Sequence, residues 1–191
     1  MTLEDMWKVY YNKGLILFRK NDLTGALEAL RKSVEFSMDN WKCYNLMGLC
    51  LYKIGKFTKC KNVWKRSVEI YSQKDNPAVN YLNSMEEVSF KNICEKYNKA
   101  YNLSLNKDYK EALNTLSRAD VEKYPIVVIK NFCGLCSYAV GNKNKAIQEW
   151  KEVLKIDTSN KQALLYLSEV CEVKKESKGL LARLKELLIT N

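Results

Sequence analysis

Trp41 to Lys74, WKCYNLMGLCLYKIGKFTKCKNVWKRSVEIYSQK, decides the fold. Its apolar residues recur at helical spacing on either side of Gly55: Tyr44, Met47 and Leu51 before it, Phe57, Trp64, Val68 and Ile70 after it. That spacing predicts two amphipathic helices joined by a glycine turn. Gly48, Cys60 and Ser67 are small where two helices have to approach, so the pair is expected to pack face to face. One pair cannot bury both of its apolar faces; the pattern calls for neighbours of the same kind.

The neighbours are in the sequence. Trp7 to Asn40 aligns with the same stretch without a gap, setting Gly14, Ala26 and Ser33 opposite Gly48, Cys60 and Ser67. A third copy covers 93–126, with Ala100, Ala112 and Ala119 at the small positions, and a fourth covers 127–160, with Gly134, Gly141, Ala146 and Trp150 in register. Between the second and third copies Asp75, Asn76 and Pro77 read as a helix start, opening an extra helix over 77–90 that carries Val79, Leu82, Met85 and Val88 at helical spacing. Whether that helix stands apart from the next or fuses with it is open at the level of sequence. A weaker unit, 161–191, places Leu164, Leu167 and Cys171, then Leu180, Leu184, Leu187 and Leu188, on inward faces and is expected to cap the array.

A longer period overlies the short one. Asn45, Gly48, Leu49, Cys50, Tyr52, Gly55 and Trp64 match Asn131, Gly134, Leu135, Cys136, Tyr138, Gly141 and Trp150, and the inserted helix has its echo in Ala163 onward. The chain reads as two modules of two helix pairs plus a closing helix.

A helix, a marked turn and a helix in about 34 residues, with small and large positions repeated four times, resembles the tetratricopeptide repeat (TPR) family. The resemblance covers almost the whole chain. It implies an all-α fold, an α-α superhelix of about five helix-pair units with one extra inserted helix, in a single domain. It also implies a non-enzymatic scaffold or adaptor that binds a peptide or helical segment of another protein in a concave groove lined by the first helix of each repeat. On this sequence the inward positions are Lys8, Tyr11, Leu15 and Phe18; Lys42, Asn45, Leu49 and Tyr52; Tyr97 and Tyr101; and Asn131, Leu135 and Tyr138. Rings can bury apolar side chains, and amides can both donate to and accept from a peptide bond. The Lys and Asn clamp with which some TPR modules hold a chaperone C terminus is missing, since Tyr11, Leu15 and Leu46 stand at its first positions.

Composition narrows the chemistry. The 191 residues are 47% hydrophobic and carry a net charge of +10, which favours a partner of acidic character; a nucleic-acid-binding solenoid using the basic outer face, Lys53, Lys56, Lys59, Lys61, Lys65 and Arg66, is the alternative. Histidine is absent, removing the commonest general base and metal ligand, and no phosphate loop or nucleophile motif is present. Neither cofactor nor metal is expected. Cys133-Gly-Leu-Cys136 has the spacing of a redox or metal pair, but lacks a second pair, and Met47 and Cys50 stand at the same places in the earlier copy, so core packing accounts for it better. Seven scattered cysteines and no secretory or membrane-spanning pattern suit a cytoplasmic protein without membrane insertion. The leucine-rich last helix could cap the core or join a second copy into a homo-oligomer.

Overall fold

The computed structural model describes residues 5–172. These residues form eleven helices and no strand: α1 Met6–Arg19, α2 Leu23–Phe36, α3 Trp41–Ile54, α4 Phe57–Ile70, α5 Pro77–Ser84, α6 Val88–Leu105, α7 Tyr109–Thr115, α8 Arg118–Lys123, α9 Val127–Ala139, α10 Lys143–Ile156 and α11 Lys161–Glu172. Their contacts gather into two compact units, Met1–Lys91 with Ile156–Ser159 and Asn92–Lys155 with Asn160–Asn191, so the division falls inside α6. The expected second helix of the capping unit, with Leu180, Leu184, Leu187 and Leu188, lies outside the described residues.

Four turns repeat one backbone solution. Asn21, Gly55, Lys107 and Gly141, each the fifteenth residue of its repeat, all have positive φ, at 58°, 97°, 67° and 85°. A left-handed residue ends the first helix of a pair and aims the chain back along it; glycine does this without steric cost, whereas Lys107 adopts the region that side chains disfavour. The small positions also act in register. Ser33 Oγ donates to Trp7 O at 2.8 Å and Ser67 Oγ to Trp41 O at 3.2 Å, tying each second helix to the start of its first. A Cβ added at Gly48 would collide with the Trp64 indole, and one at Gly134 with that of Trp150, which is why these pairs need glycine opposite tryptophan.

In the first unit Leu23, Ala26, Leu30, Cys43, Cys50, Cys60 and Trp64 form the centre of the core, each at most 2% exposed. The loop residues Ile156–Ser159 belong to this unit because Asp157, fully buried, caps α2: its Oδ1 accepts from the Leu23 and Thr24 amides at 3.0 and 3.1 Å, and its Oδ2 from Thr24 Oγ1 at 2.8 Å. The free amides of a helix start attract a carboxylate electrostatically as well as by hydrogen bonding.

Three boundaries differ from the sequence reading. The inserted helix stops at Ser84 instead of reaching Phe90, and α6 starts anew at Val88, so the two are separate. Glu86 and Glu87 sit at the break, where acidic residues suit a helix start; Val88, expected on an apolar face, is 73% exposed, while Met85 and Phe90 are buried. Glu86 also accepts from Lys61 at 2.7 Å and Lys91 at 2.9 Å, and these two ammonium groups hold its carboxyl down at about 2. The second helix of the third pair is broken at Leu116. Thr115 Oγ1 bonds back to Glu111 O, and Ser117 turns extended to cap α8 by accepting from the Asp120 amide, a competition between side chain and helix that breaks the run and leaves Ala119 exposed. In α11, Ala163 and Tyr166 are buried and Leu164 is 47% exposed, so the inward face is rotated from the leucines expected there.

Candidate functional site

In the first unit the inward positions of α1 and α3 stay partly open. Tyr11, Leu15, Phe18, Leu49 and Tyr52 are all half-buried, neither swallowed by the core nor free of it. Burial raises the Tyr11 hydroxyl above its ordinary pKa, so it acts as a neutral donor and acceptor. Lys53 Nζ lies 5.1 Å from the Phe18 ring centroid, linking α3 to α1 by a cation–π contact. Tyr52 is the edge of a larger aromatic cluster, with centroids 5.9 Å from Phe57, 6.1 Å from Trp64 and 5.6 Å from Phe90. Lys8 and Lys42 are exposed and repeat each other: each ammonium lies over the tryptophan preceding it, at 5.8 Å from Trp7 and 5.5 Å from Trp41, and Lys8 also meets Asp5 at 2.8 Å. The face is apolar and aromatic, with ammonium groups on its edges.

Asn45 does not present its amide on this face. It is 8% exposed, and its Nδ2 donates to Asn76 Oδ1 at 2.9 Å. Asn76 in turn caps α5 through the Ala78 amide and donates to Ser67 O, Ser67 Oγ and Tyr71 O. The two side chains lock the second pair to the helix that follows. Trp64 completes the arrangement by donating from Nε1 to Asn45 O at 3.2 Å.

The second unit uses its equivalents differently. Asn131 and Leu135 are 5% and 7% exposed, and Asn131 Nδ2 points to Asn160 Oδ1 at 3.4 Å. Tyr138 is half-buried with its ring 6.3 Å from Trp150. Tyr97 and Tyr101 are half-buried and stand beside Phe132, at 5.4 and 6.5 Å between centroids; burial, with Tyr101 adding to it, pushes the Tyr97 hydroxyl well up. Almost all of α9 is buried, from Val127 to Ser137. The inward positions therefore form an open face on the first unit, and on the second a core with a few tyrosine edges.

Sequence reading put Lys53 in the basic outer cluster rather than over the Phe18 ring, and it missed the Phe90 contact with Tyr52 and the Asn76 bond. Asn76 was legible as a helix cap, but the residue it would hold lies 31 positions away, and no spacing rule announces it.

The buried thiols pack as small apolar groups. Cys133 and Cys136 are buried and burial pushes both up to about 12, while Cys43 and Cys50 are raised to about 11 and 12, so all four stay protonated. Among the described residues no group of three or more His, Cys, Asp or Glu could hold a metal ion, and no helix is long and apolar enough to cross a membrane.

Paired helices, a left-handed residue at one fixed register and glycine-on-tryptophan contacts define a helical-repeat protein. Residues 8–39 match the family model of the tetratricopeptide repeat, and the chain has the TPR fold. The crystal structure of the P58(IPK) TPR domain aligns with 98% of this chain at 19% identity and a TM-score of 0.62; this chain spans about half, 51%, of that one. MamA from Desulfovibrio magneticus RS-1, residue 41 to the end, aligns with 96% of this chain and 94% of its own at 18% identity, with a TM-score of 0.40. The first of these bears on the fold. No curated protein matches the chain by sequence.

Proposed function

We propose that this chain is a non-enzymatic adaptor that takes an extended or helical segment of another protein against the α1 and α3 face of its first unit. The observation that carries the reading is the half-burial of Tyr11, Leu15, Phe18, Leu49 and Tyr52: large apolar groups held in place by the core but left with one side to offer. Lys8, Lys42 and Lys53 around them suit a segment with acidic residues beside its apolar anchors. Protonated, buried thiols are compatible with a reducing compartment such as the cytoplasm.

The nucleic-acid alternative gains no support from the basic cluster. Lys61 is engaged by Glu86 and Arg66 by Glu69 at 3.2 Å, so two of its six charges already face a carboxylate within the fold.

Selection of displayed peptides on the wild-type chain tests the reading. Recovered peptides should pair acidic with apolar residues and weaken by roughly tenfold or more when Tyr11 and Leu49 are changed to alanine, as expected for anchors at the centre of an interface. Peptides that bind both proteins equally would remove this face from consideration.

A further inference from the structure

We propose that the opposite side of α1, carrying Val9, Lys13 and Ile16, is a second docking surface, and that its occupant is an amphipathic helix of another protein with acidic residues flanking its apolar stripe. Helical periodicity separates this side from the inward positions: Val9 and Ile16 are seven residues apart and lie together, with Lys13 between them, roughly half a turn from Tyr11 and Phe18. Val9 is 44% and Ile16 52% exposed, and of α1's residues only Gly14 is buried.

The next repeat shows what such a face is shaped for. The residues of α3 in the same register are Cys43, Met47 and Cys50, of which both cysteines are fully buried, because α2 packs on that side of α3 and Cys43 Sγ donates to Leu30 O at 3.3 Å. The corresponding side of α1 has the same helical geometry and the same apolar ends, but it is open. Phe36, 42% exposed and stacked on Tyr10 of α1 at 5.7 Å, adds apolar surface next to it. A helix is the element that fills this kind of slot in the chain itself.

Charge selects among helices. Lys13 replaces Met47 at the centre of the stripe, and Lys32 lies over the Tyr10 ring at 5.7 Å on its border. A second copy packed on this face by two-fold symmetry would bring Lys13 against its own counterpart, a like-charge contact in a desolvated setting. A helix with carboxylates flanking its apolar stripe meets the same lysines favourably. This surface is independent of the inward face, since it shares no side chain with it.

The test uses two labelled synthetic helices of about 15 residues with the same leucine and alanine stripe, one flanked by glutamate and one by lysine, titrated against the full chain by fluorescence anisotropy. The glutamate helix should bind and the lysine helix should not. Val9→Asp and Ile16→Asp, at exposed positions that leave the helical circular dichroism signal intact, should each weaken binding by roughly tenfold, and Lys13→Glu should reverse the preference between the probes. In a chain that also carries Tyr11→Ala and Leu49→Ala, which removes the inward face, the glutamate helix should still bind and still depend on Val9 and Ile16, which separates the two surfaces. The proposal is overturned by no binding of the glutamate helix, by binding indifferent to Val9 and Ile16, or by a wild-type dimer that Ile16→Asp converts to monomer.

Discussion

The second and fourth helix pairs are built to one plan and finished differently. Both set glycine under tryptophan, Gly48 with Trp64 and Gly134 with Trp150, and both rest that indole on a tyrosine of the next helix, Tyr81 at 5.0 Å and Tyr166 at 5.1 Å. Both send an asparagine of the first helix to a capping asparagine downstream. Yet Trp64 Nε1 has its acceptor in Asn45 O, while Trp150 Nε1, equally buried, finds none within hydrogen-bonding distance. Leu49 keeps one side open and Leu135 is buried. Where Tyr44 stands in the earlier pair the later one has Lys130, 9% exposed, with its ammonium 3.8 Å from Glu149. A repeat pattern thus sets the skeleton of a helix pair; which of its faces stays available depends on neighbours the pattern does not specify.

The largest effects should come from what the pairs share. Trp64→Ala and Trp150→Ala should each cost about 3–5 kcal/mol in denaturant unfolding, as indole-sized cavities do in a packed core. A loss under about 1 kcal/mol at either site would break the claim that both pairs depend on the same contact. Next comes Asp157→Ala, which strips the buried carboxylate from the Leu23 and Thr24 amides while the N-cap Asp22 keeps its bond to the Gly25 amide, and should cost about 1–2 kcal/mol. Its effect should be seen as faster amide exchange at Leu23 and Thr24.

A smaller difference sharpens the comparison. Trp64→Phe should be costlier than Trp150→Phe by about 1 kcal/mol, because only the first loses a hydrogen bond whose acceptor stays behind. At the bottom of the scale is Glu86. Its folded carboxyl lies below its usual value, so its contribution is present above the ordinary glutamate range and is lost as pH falls toward about 2; its carboxyl resonance in NMR should titrate with a midpoint near there in the wild type and return toward the ordinary range in Lys61→Ala with Lys91→Ala.

How much of this was legible follows from the range of each interaction. Gly48, Gly55, Ser67 and Trp64 announce themselves because they act within one repeat, and the same register returns at Gly134, Gly141 and Trp150. The turn at Lys107 was visible by register alone, although its left-handed backbone needed the structure to show it. The end of α5 and the break at Leu116 were hidden, since each turns on a local contest: acids against an apolar rhythm at Glu86 and Glu87, hydroxyls against helix amides at Thr115 and Ser117. The Asp157 cap of α2 spans 133 and 134 residues and has no sequence signal. Of the inward positions that the TPR resemblance implies, Tyr11, Leu15, Phe18, Leu49 and Tyr52 keep one side open, whereas Asn45, Asn131 and Leu135 are buried, the asparagines bonded to caps that sequence periodicity does not connect to them.

The most direct test of an open face on the first unit and a closed one on the second is the accessibility of two leucines in equivalent register. With leucine methyl groups isotopically labelled and a soluble paramagnetic agent added, the Leu49 methyl signals should be strongly attenuated and the Leu135 signals protected. Equal attenuation at the two, or the reverse order, would contradict the account and return the recognition surface to the second unit.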